Sequence, residues 1–416
     1  MTTGLSIILF LLAFSLFSGA VTGAEIYFRL ASLWAFFLMA NWVWARLSLW
    51  RLQVNRHTRT TRAEMGQIFE ERIILQNPAR LKRLWVEMRD ESSLPGALGS
   101  QVFSNVGGAE ERSYISRIRL MQRGVFNLGP TVLQAGDLFG LFPTQRIFAA
   151  TQSLMVYPNM VRVRRFPEAT GLLPGGEALR HRTLQTTPNA AGVREYTAGD
   201  PLNRIHWPTT ARRERLMVKE FELDPQAEVW IFLDGEADVQ AHRPWQARFD
   251  VRDLWLSSDF RLPPDTQEYA VSIAASLARY YLEQRRAVGL VTHTGAPLVL
   301  PAEQGGRQLQ KILENLALWQ ARGDLPLSGM VEAQARHLMR GSTVVLITPS
   351  FRVDVAMAAE ALRVRGLRPV VVLLDSASFG GSADGEGLTQ RLAALKIPVV
   401  RIREGDDLSA ALEGAR

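Results

Sequence analysis

Cysteine is absent from all 416 residues. That excludes a disulfide framework, thiolate metal sites, iron–sulfur clusters and a cysteine nucleophile. There is no GxxxxGK[ST] loop, so ATP hydrolysis would have to belong to a partner. No nucleophile elbow is present, and Thr209 and Thr210 sit in no recognisable catalytic frame. No Lys or Arg precedes the first apolar run, which argues against a cleaved signal peptide although Ser18-Gly19-Ala20 has the form of a cleavage site. What remains is a chain of 47% hydrophobic and 21% charged residues, neither disordered nor a mini-protein. At about 150 residues per domain there is room for two or three. Its 48 Lys+Arg against 41 Asp+Glu give a net charge of +7, which suits anionic lipid or nucleic acid as a partner.

The position of that charge favours lipid. Leu5–Val21 and Ile26–Ala45 are apolar runs, and a spanning helix needs about 20 residues, with about 17 a practical minimum. Arg29 near the start of the second run and Arg46 just beyond its end can snorkel to the headgroups, while Trp34, Trp42, Trp44 and Trp50 resemble an interfacial belt. Only Thr22–Glu25 separates the runs, which predicts a helical hairpin. Arg46, Arg51, Arg56, Arg59 and Arg62 then follow with no acid before Glu64, so this side is expected to be cytoplasmic and the arginines to form a patch on anionic lipid. The expectation is a multi-pass inner-membrane protein with cytoplasmic soluble domains, and no nucleic acid is required. Small residues near Gly19 and Ala20 would allow packing between spans.

Beyond the hairpin the expected organisation is a β-rich, sandwich-like domain over 51–165, a linker over 166–225 and an α/β domain over 226–416. In the first, Ile68–Gln76, Leu84–Met88 and Tyr114–Leu120 read as strands punctuated by glycine turns, and Ser92–Gly108 reads as a Gly- and Ser-rich loop. In the last, strands at Val229–Leu233, Ala287–Thr292, Thr343–Ile347, Pro369–Leu374 and Ile397–Ile402 alternate with helices at Thr266–Arg286, Arg307–Trp319, Gly329–Met339 and Val355–Arg365. Asp265 and Glu268 have capping-box spacing, and Gly366 suits a helix end. The alternation predicts a doubly wound, largely parallel sheet, with ligands beyond the carboxyl ends of its strands, which points to Asp234. Trp245, Phe249, Trp255 and Phe260 lie among Arg and Asp residues before Pro264, either an interface or a packed extra helix. Gly380–Gly387 reads as another loop.

The densest polar segment is Glu195–Glu222. Tyr196, Asp200, Arg204, His206, Trp207, Arg212, Arg213, Lys219 and Glu220 fall within it, and such groups must find partners if buried. A structural network joining two domains, with Asp200 pairing Arg204 or Arg212, is the plainer reading. A hydrolase or transferase site built from Asp200, His206 and Arg212 is the alternative. Arg212, Arg213 and Arg215 form a basic cluster, either a phosphate site or a solvated face.

Tyr196, Gly199-Asp200, Arg204, Ile205-His206-Trp207, Thr210-Ala211-Arg212 and Lys219-Glu220 resemble the signature of the bacterial family called "domain of unknown function 58". Arg123-Gly124, Gly129-Pro130, Asp137 and Phe139-Gly140-Leu141-Phe142 are similar to a second stretch of that family, and two preceding spans fit it. The resemblance implies a von Willebrand factor A-like α/β domain and a role beside MoxR-type AAA+ ATPases in assembling or activating a client protein, with no defined enzymatic activity. It also raises a metal question. Many such domains hold Mg²⁺ through Asp-x-Ser-x-Ser, whereas the corresponding loop here is Asp234-Gly235-Glu236-Ala237-Asp238, and the later strand ends at Thr348-Pro349-Ser350. Three acids at alternate positions could still take Mg²⁺ or Ca²⁺, or Arg204 or Arg212 could neutralise Asp234. The sequence therefore predicts a membrane-anchored, non-enzymatic scaffold.

Overall fold

The computed structural model describes residues 2–97, 99–150, 152–167, 190–197, 205–221, 228–245, 260–381 and 386–414. The chain forms two compact units. The first gathers Met1–Val161, His242–Ser276 and Gln310–Gln320; the second gathers Arg162–Ala241, Leu277–Leu309 and Ala321–Arg416.

The first unit begins with two helices, Thr3–Thr22 (α1) and Glu25–Ser48 (α2). Thr2 caps the first by accepting from the Leu5 N–H, and the chain reverses through Gly23. Both helices are long and apolar enough to cross a membrane, by length and composition. The 20 residues of α1 cover about 30 Å, the thickness of a bilayer's hydrocarbon core. Neither helix hides its apolar surface: Phe10, Phe17 and Phe36 are each about two-thirds exposed. A stripe of that size facing water would be anomalous, whereas facing lipid it is ordinary. The anchor is thus two candidate spans, with no larger bundle among the described residues.

Ten strands follow: Gln53–Thr58 (β1), Arg62–Glu64 (β2), Ile68–Asn77 (β3), Arg83–Asp90 (β4), Ser100–Val106 (β5), Glu110–Arg119 (β6), Gly124–Leu128 (β7), Thr131–Ala135 (β8), Thr144–Phe148 (β9) and Gln152–Tyr157 (β10). They form three small sheets, β1-β3-β6, β2-β10-β7 and β5-β4-β8-β9, antiparallel throughout except β2 on β10. The first and third share one core, in which Ile73 and Leu75 of β3 meet Val86 and Met88 of β4 and Leu133 of β8. A second core joins Phe69 and Ile118 to Leu128, Leu154 and Val156.

Two expectations are corrected in this unit. The stretch Ser92–Gly108, for which composition predicts a loop, contains β5. It pairs antiparallel with β4 as an edge strand, and Val106 and Phe103 pack into the shared core. Pairing and burial override weak local propensity there. Arg56 is not part of a basic surface patch. Its side chain is buried, ion-paired with Glu71 at 3.2 Å and with Asp90, and hydrogen-bonded to Ser92 and Thr131. A cation taken out of water requires such partners. Arg62 is half-exposed and pairs with Glu314.

In the second unit, Ala190–Glu195 (β11) and Met217–Phe221 (β12) form an antiparallel pair, with the short helix Trp207–Arg213 (α3) between them. These elements lie within the stretch 166–225 that carries the signature segment. There follow along the chain Val229–Leu233 (β13), Thr266–Glu283 (α4), Val288–His293 (β14), Pro297–Glu303 (β15), Gly306–Leu318 (α5), Leu327–Ala335 (α6), Thr343–Thr348 (β16), Val353–Val364 (α7), Arg368–Leu374 (β17), Glu386–Ala394 (α8), Val399–Ile402 (β18) and Leu408–Leu412 (α9), of which α4 up to Ser276 and α5 from Gln310 belong to the first unit. The sheet runs β15-β14-β13-β16-β17-β18 and is parallel except for the edge strand β15. β16 is buried along its whole length, as the near-continuous run TVVLIT requires of a strand covered on both faces. Gly366, expected to end α7, has φ +81°.

The expected capping box is only half formed. Asp265 accepts from the Gln267 N–H at 2.8 Å, but Glu268 does not reach back, because it is ion-paired with Arg123.

Candidate functional site

The order of the second unit's sheet reverses beside β13. The chain passes from β13 to β14 on one side and later returns to place β16 on the other. Crevices form at such switch points, beyond the carboxyl ends of the strands. Here the first residue after β13 is Asp234, and the last of β16 is Thr348. Thr348 Oγ1 donates to Asp234 Oδ2 at 2.6 Å, and the Glu236 N–H donates to Asp234 Oδ1 at 3.1 Å. Thr348 is fixed in turn by the Ser350 N–H at 2.9 Å. Asp234 is 1% exposed, and burial pushes its carboxyl up to about 6, against the lowering effect of these two hydrogen bonds.

The loop after β13 is held by close backbone approach. The Gly323 N–H donates to Gly235 O at 2.8 Å, and the Ala237 N–H to Gly323 O at 2.9 Å. A Cβ on Gly235 would overlap His293 O at the end of β14, and a Cβ on Gly323 would meet the same carbonyl. Only glycine allows three backbone segments to converge here.

Glu236 is buried, and its carboxylate is held by Arg352 Nη1 at 2.6 Å. The Arg352 side chain is itself 49% exposed, and hydrogen bonding to Glu236, with Glu236, Asp354 and Asp234 nearby, raises its pKa. Asp238 is exposed. The three acids of the loop therefore do not converge. Among the described residues no group of three His, Asp or Glu side chains is placed to hold a cation. Mg²⁺ or Ca²⁺ needs a shell of about six or more oxygens. Here one carboxylate is filled by hydrogen bonds and the next by a guanidinium. The residues present do not fit such an ion.

The signature segment is placed only in part. Gly199, Asp200 and Arg204 lie outside the described residues, and so do the proposed Asp200–Arg204 pairing and most of the aromatic stretch after Trp245. Lys219 and Glu220 are on β12, with Lys219 opposite Val193 of β11. Tyr196 follows β11, and its N–H donates to Leu216 O. His206 is the N-cap of α3. Its Nδ1 accepts from the Thr209 N–H at 3.3 Å and lies 2.7 Å from Thr209 Oγ1. Thr210 Oγ1 accepts from the Met217 N–H at 3.0 Å, tying α3 to β12. Trp207 is 66% exposed, and Arg212 and Arg213 are exposed on the same short helix. Asp234 takes its hydrogen bonds from Thr348 and Glu236, so the expected pairing with Arg212 is not made. His206 Nδ1 serves a helix cap, and the hydroxyl beside it, Thr209 Oγ1, belongs to the first turn of the helix being capped.

Arg352 was the residue sequence reasoning missed. Its signal is position: it stands four residues beyond β16, where a doubly wound sheet presents side chains to its crevice.

Fold and site together define a chain with two candidate membrane helices, small antiparallel sheets and a mostly parallel C-terminal sheet with a carboxylate at its switch point. Residues 192–378 match the family described as "Protein of unknown function DUF58". Uncharacterized protein YeaD of Bacillus subtilis (strain 168) is a relative, 24% identical over 288 residues. The match spans 68% of this chain and 64% of YeaD, less than two thirds of that relative's length. Among solved structures, mussel byssus proximal thread matrix protein 1 shares 11% identity over 45% of this chain and 46% of its own, with a TM-score of 0.31. A Pyrococcus furiosus CARDB domain shares 11% over 25% of this chain and 91% of its own, with a TM-score of 0.18. Both are too distant to define the fold.

Proposed function

We propose that this protein is a membrane-anchored, non-enzymatic interaction protein. Its α/β unit, von Willebrand factor A-like in kind, would face the cytoplasm from the inner membrane and act with a MoxR-type AAA+ ATPase on a client protein. The carrying observation is the state of the strand-end crevice. Asp234 accepts from Thr348 and Glu236 is ion-paired with Arg352, no nucleophile elbow accompanies them among the described residues, and a half-exposed guanidinium is left at the rim. A site of that composition suits recognition of a partner's acidic groups better than bond making. The strand order with one antiparallel edge supports the fold assignment. Arg46 in the last turn of α2, and Arg51 and Arg59 after it, support the orientation.

The test is affinity capture of the full chain, solubilised in detergent at native abundance, beside Arg352→Ala and Trp207→Ala. An AAA+ ATPase should copurify with the wild type and fall about tenfold with Arg352→Ala, the loss of one charge-assisted hydrogen bond. Capture that brings down no such ATPase, or brings it down equally with both variants, would sink the proposal.

A further inference from the structure

Between the open end of the α1–α2 hairpin and the β8–β9 loop lies a pocket of about 490 Å³, whose walls include Thr2, Leu5, Trp42, Arg46, Leu141 and Phe142. The loop that closes it is stiffened from inside. Asp137 is 1% exposed, and its carboxylate accepts from the N–H groups of Phe139 at 3.0 Å and Phe142 at 2.6 Å. Thr2 Oγ1 donates to Leu141 O at 3.1 Å. Backbone groups satisfied within the protein are the condition for irregular chain to enter hydrocarbon.

The tip is apolar and uncovered: Leu138 is 68% exposed and Phe139 63%. The Phe139 ring lies 5.0 Å from that of Phe37 on α2. Phe37 precedes Arg46 by nine residues, about 14 Å along a helix at roughly 1.5 Å per residue. If Arg46 marks the headgroup level, the tip reaches the hydrocarbon side of it. Arg46 itself lies over the Trp42 ring at 5.4 Å and has no ion-pair partner among the described residues. A cation at the mouth of an apolar pocket, level with the headgroups, has the complementarity of a lipid phosphate above its acyl chain.

We propose that the β8–β9 loop enters the membrane beside α2, and that the pocket behind it holds one anionic phospholipid. The phosphate sits on Arg46, and part of a chain lies against Leu5, Leu141 and Phe142. This rests on α1 and α2 crossing a membrane and is independent of the partner proposed above.

The cysteine-free chain allows single labels in the full-length protein. Nitroxides at Leu138→Cys, Phe36→Cys and Ser104→Cys are compared in nanodiscs of phosphatidylcholine and phosphatidylglycerol. Position 138 should match position 36, with oxygen collisions favoured over those of a nickel chelate. A match to the exposed β5 position 104 overturns insertion of the loop, and an aqueous signal at position 36 overturns the spans as well. Native mass spectrometry from the same discs should show one phosphatidylglycerol retained by the wild type and by Arg46→Lys, and about tenfold less by Arg46→Gln. Equal retention by Arg46→Gln, no retained lipid, or phosphatidylcholine retained equally well overturns the lipid site.

Discussion

Asp234 is held by two hydrogen bonds that favour its charged form, yet burial outweighs them and its carboxyl is pushed up from the ordinary 3.8 to about 6. The folded chain therefore keeps this proton to higher pH than the unfolded chain does. The group's contribution to stability is full below pH 3.8 and is lost as pH rises through about 6. At about 1.4 kcal/mol per pH unit, the loss is roughly 3 kcal/mol. Asp234→Asn should remove this slope, so that urea unfolding of the variant changes less between pH 4 and 7 than that of the wild type. An unchanged slope would place the titration elsewhere. Asp234 was legible in the sequence because the residue after a buried parallel strand is placed at the strand-end switch point by topology alone. Arg352 was not, because the pairing of Glu236 with an arginine 116 residues later depends on which strands become neighbours. Arg56 shows the same limit: five arginines in a row of like sign read as one patch, and one of them is a buried core ion.

At the level of elements, periodicity recovered the α/β strands to within a residue or two, since fully buried parallel strands are short apolar runs between helices. β15 was missed. Its PLVLPAE sequence holds two prolines, which an antiparallel edge tolerates and an interior strand does not. β5 was missed for a related reason, being an edge strand with little apolar content. Loop shape behind the crevice follows from Gly235, whose absent side chain lets the β13 loop rest on the β14 carbonyl. Gly235→Ala should therefore displace the loop and lower stability by roughly 2–4 kcal/mol, the range of severe steric substitutions. Gly306→Ala is the control. Nothing stands near its Cβ at the start of α5, and removing a helical glycine should leave stability equal or raise it by up to about 1 kcal/mol. Chemical unfolding of both variants checks the contrast, and equal losses would mean that the β13 loop yields freely.

For the molecule as a whole, the division between membrane anchor and β-rich region is not a hinge. Leu49 and Leu52, directly after α2, are buried in the same core as Ile73, Val86 and Leu133. Arg83, 2% exposed on β4, donates to Leu47 O and to Trp50 O, the latter at 2.7 Å, and so satisfies carbonyls at the end of the helix. Burial lowers its pKa, a sign of how much the guanidinium depends on those oxygens. Cutting the chain at a domain boundary drawn from hydropathy, near residue 50, would remove Leu49 and leave Arg83 short of acceptors. The two leucines contribute roughly 3–6 kcal/mol by burial, at about 1.5–3 kcal/mol each. A chain beginning at residue 46 should therefore melt cooperatively, whereas one beginning at residue 53 should lose that much stability or fail to fold. Circular dichroism melts of the two truncations make the comparison. If they melt alike, the helix end is merely tethered to the β-rich core, and a shift of the anchor could not be felt there. If they differ as expected, the last turn of α2 is a structural part of the β-rich domain, and any tilt of the anchor must be transmitted to the sheet through Leu52 and Arg83.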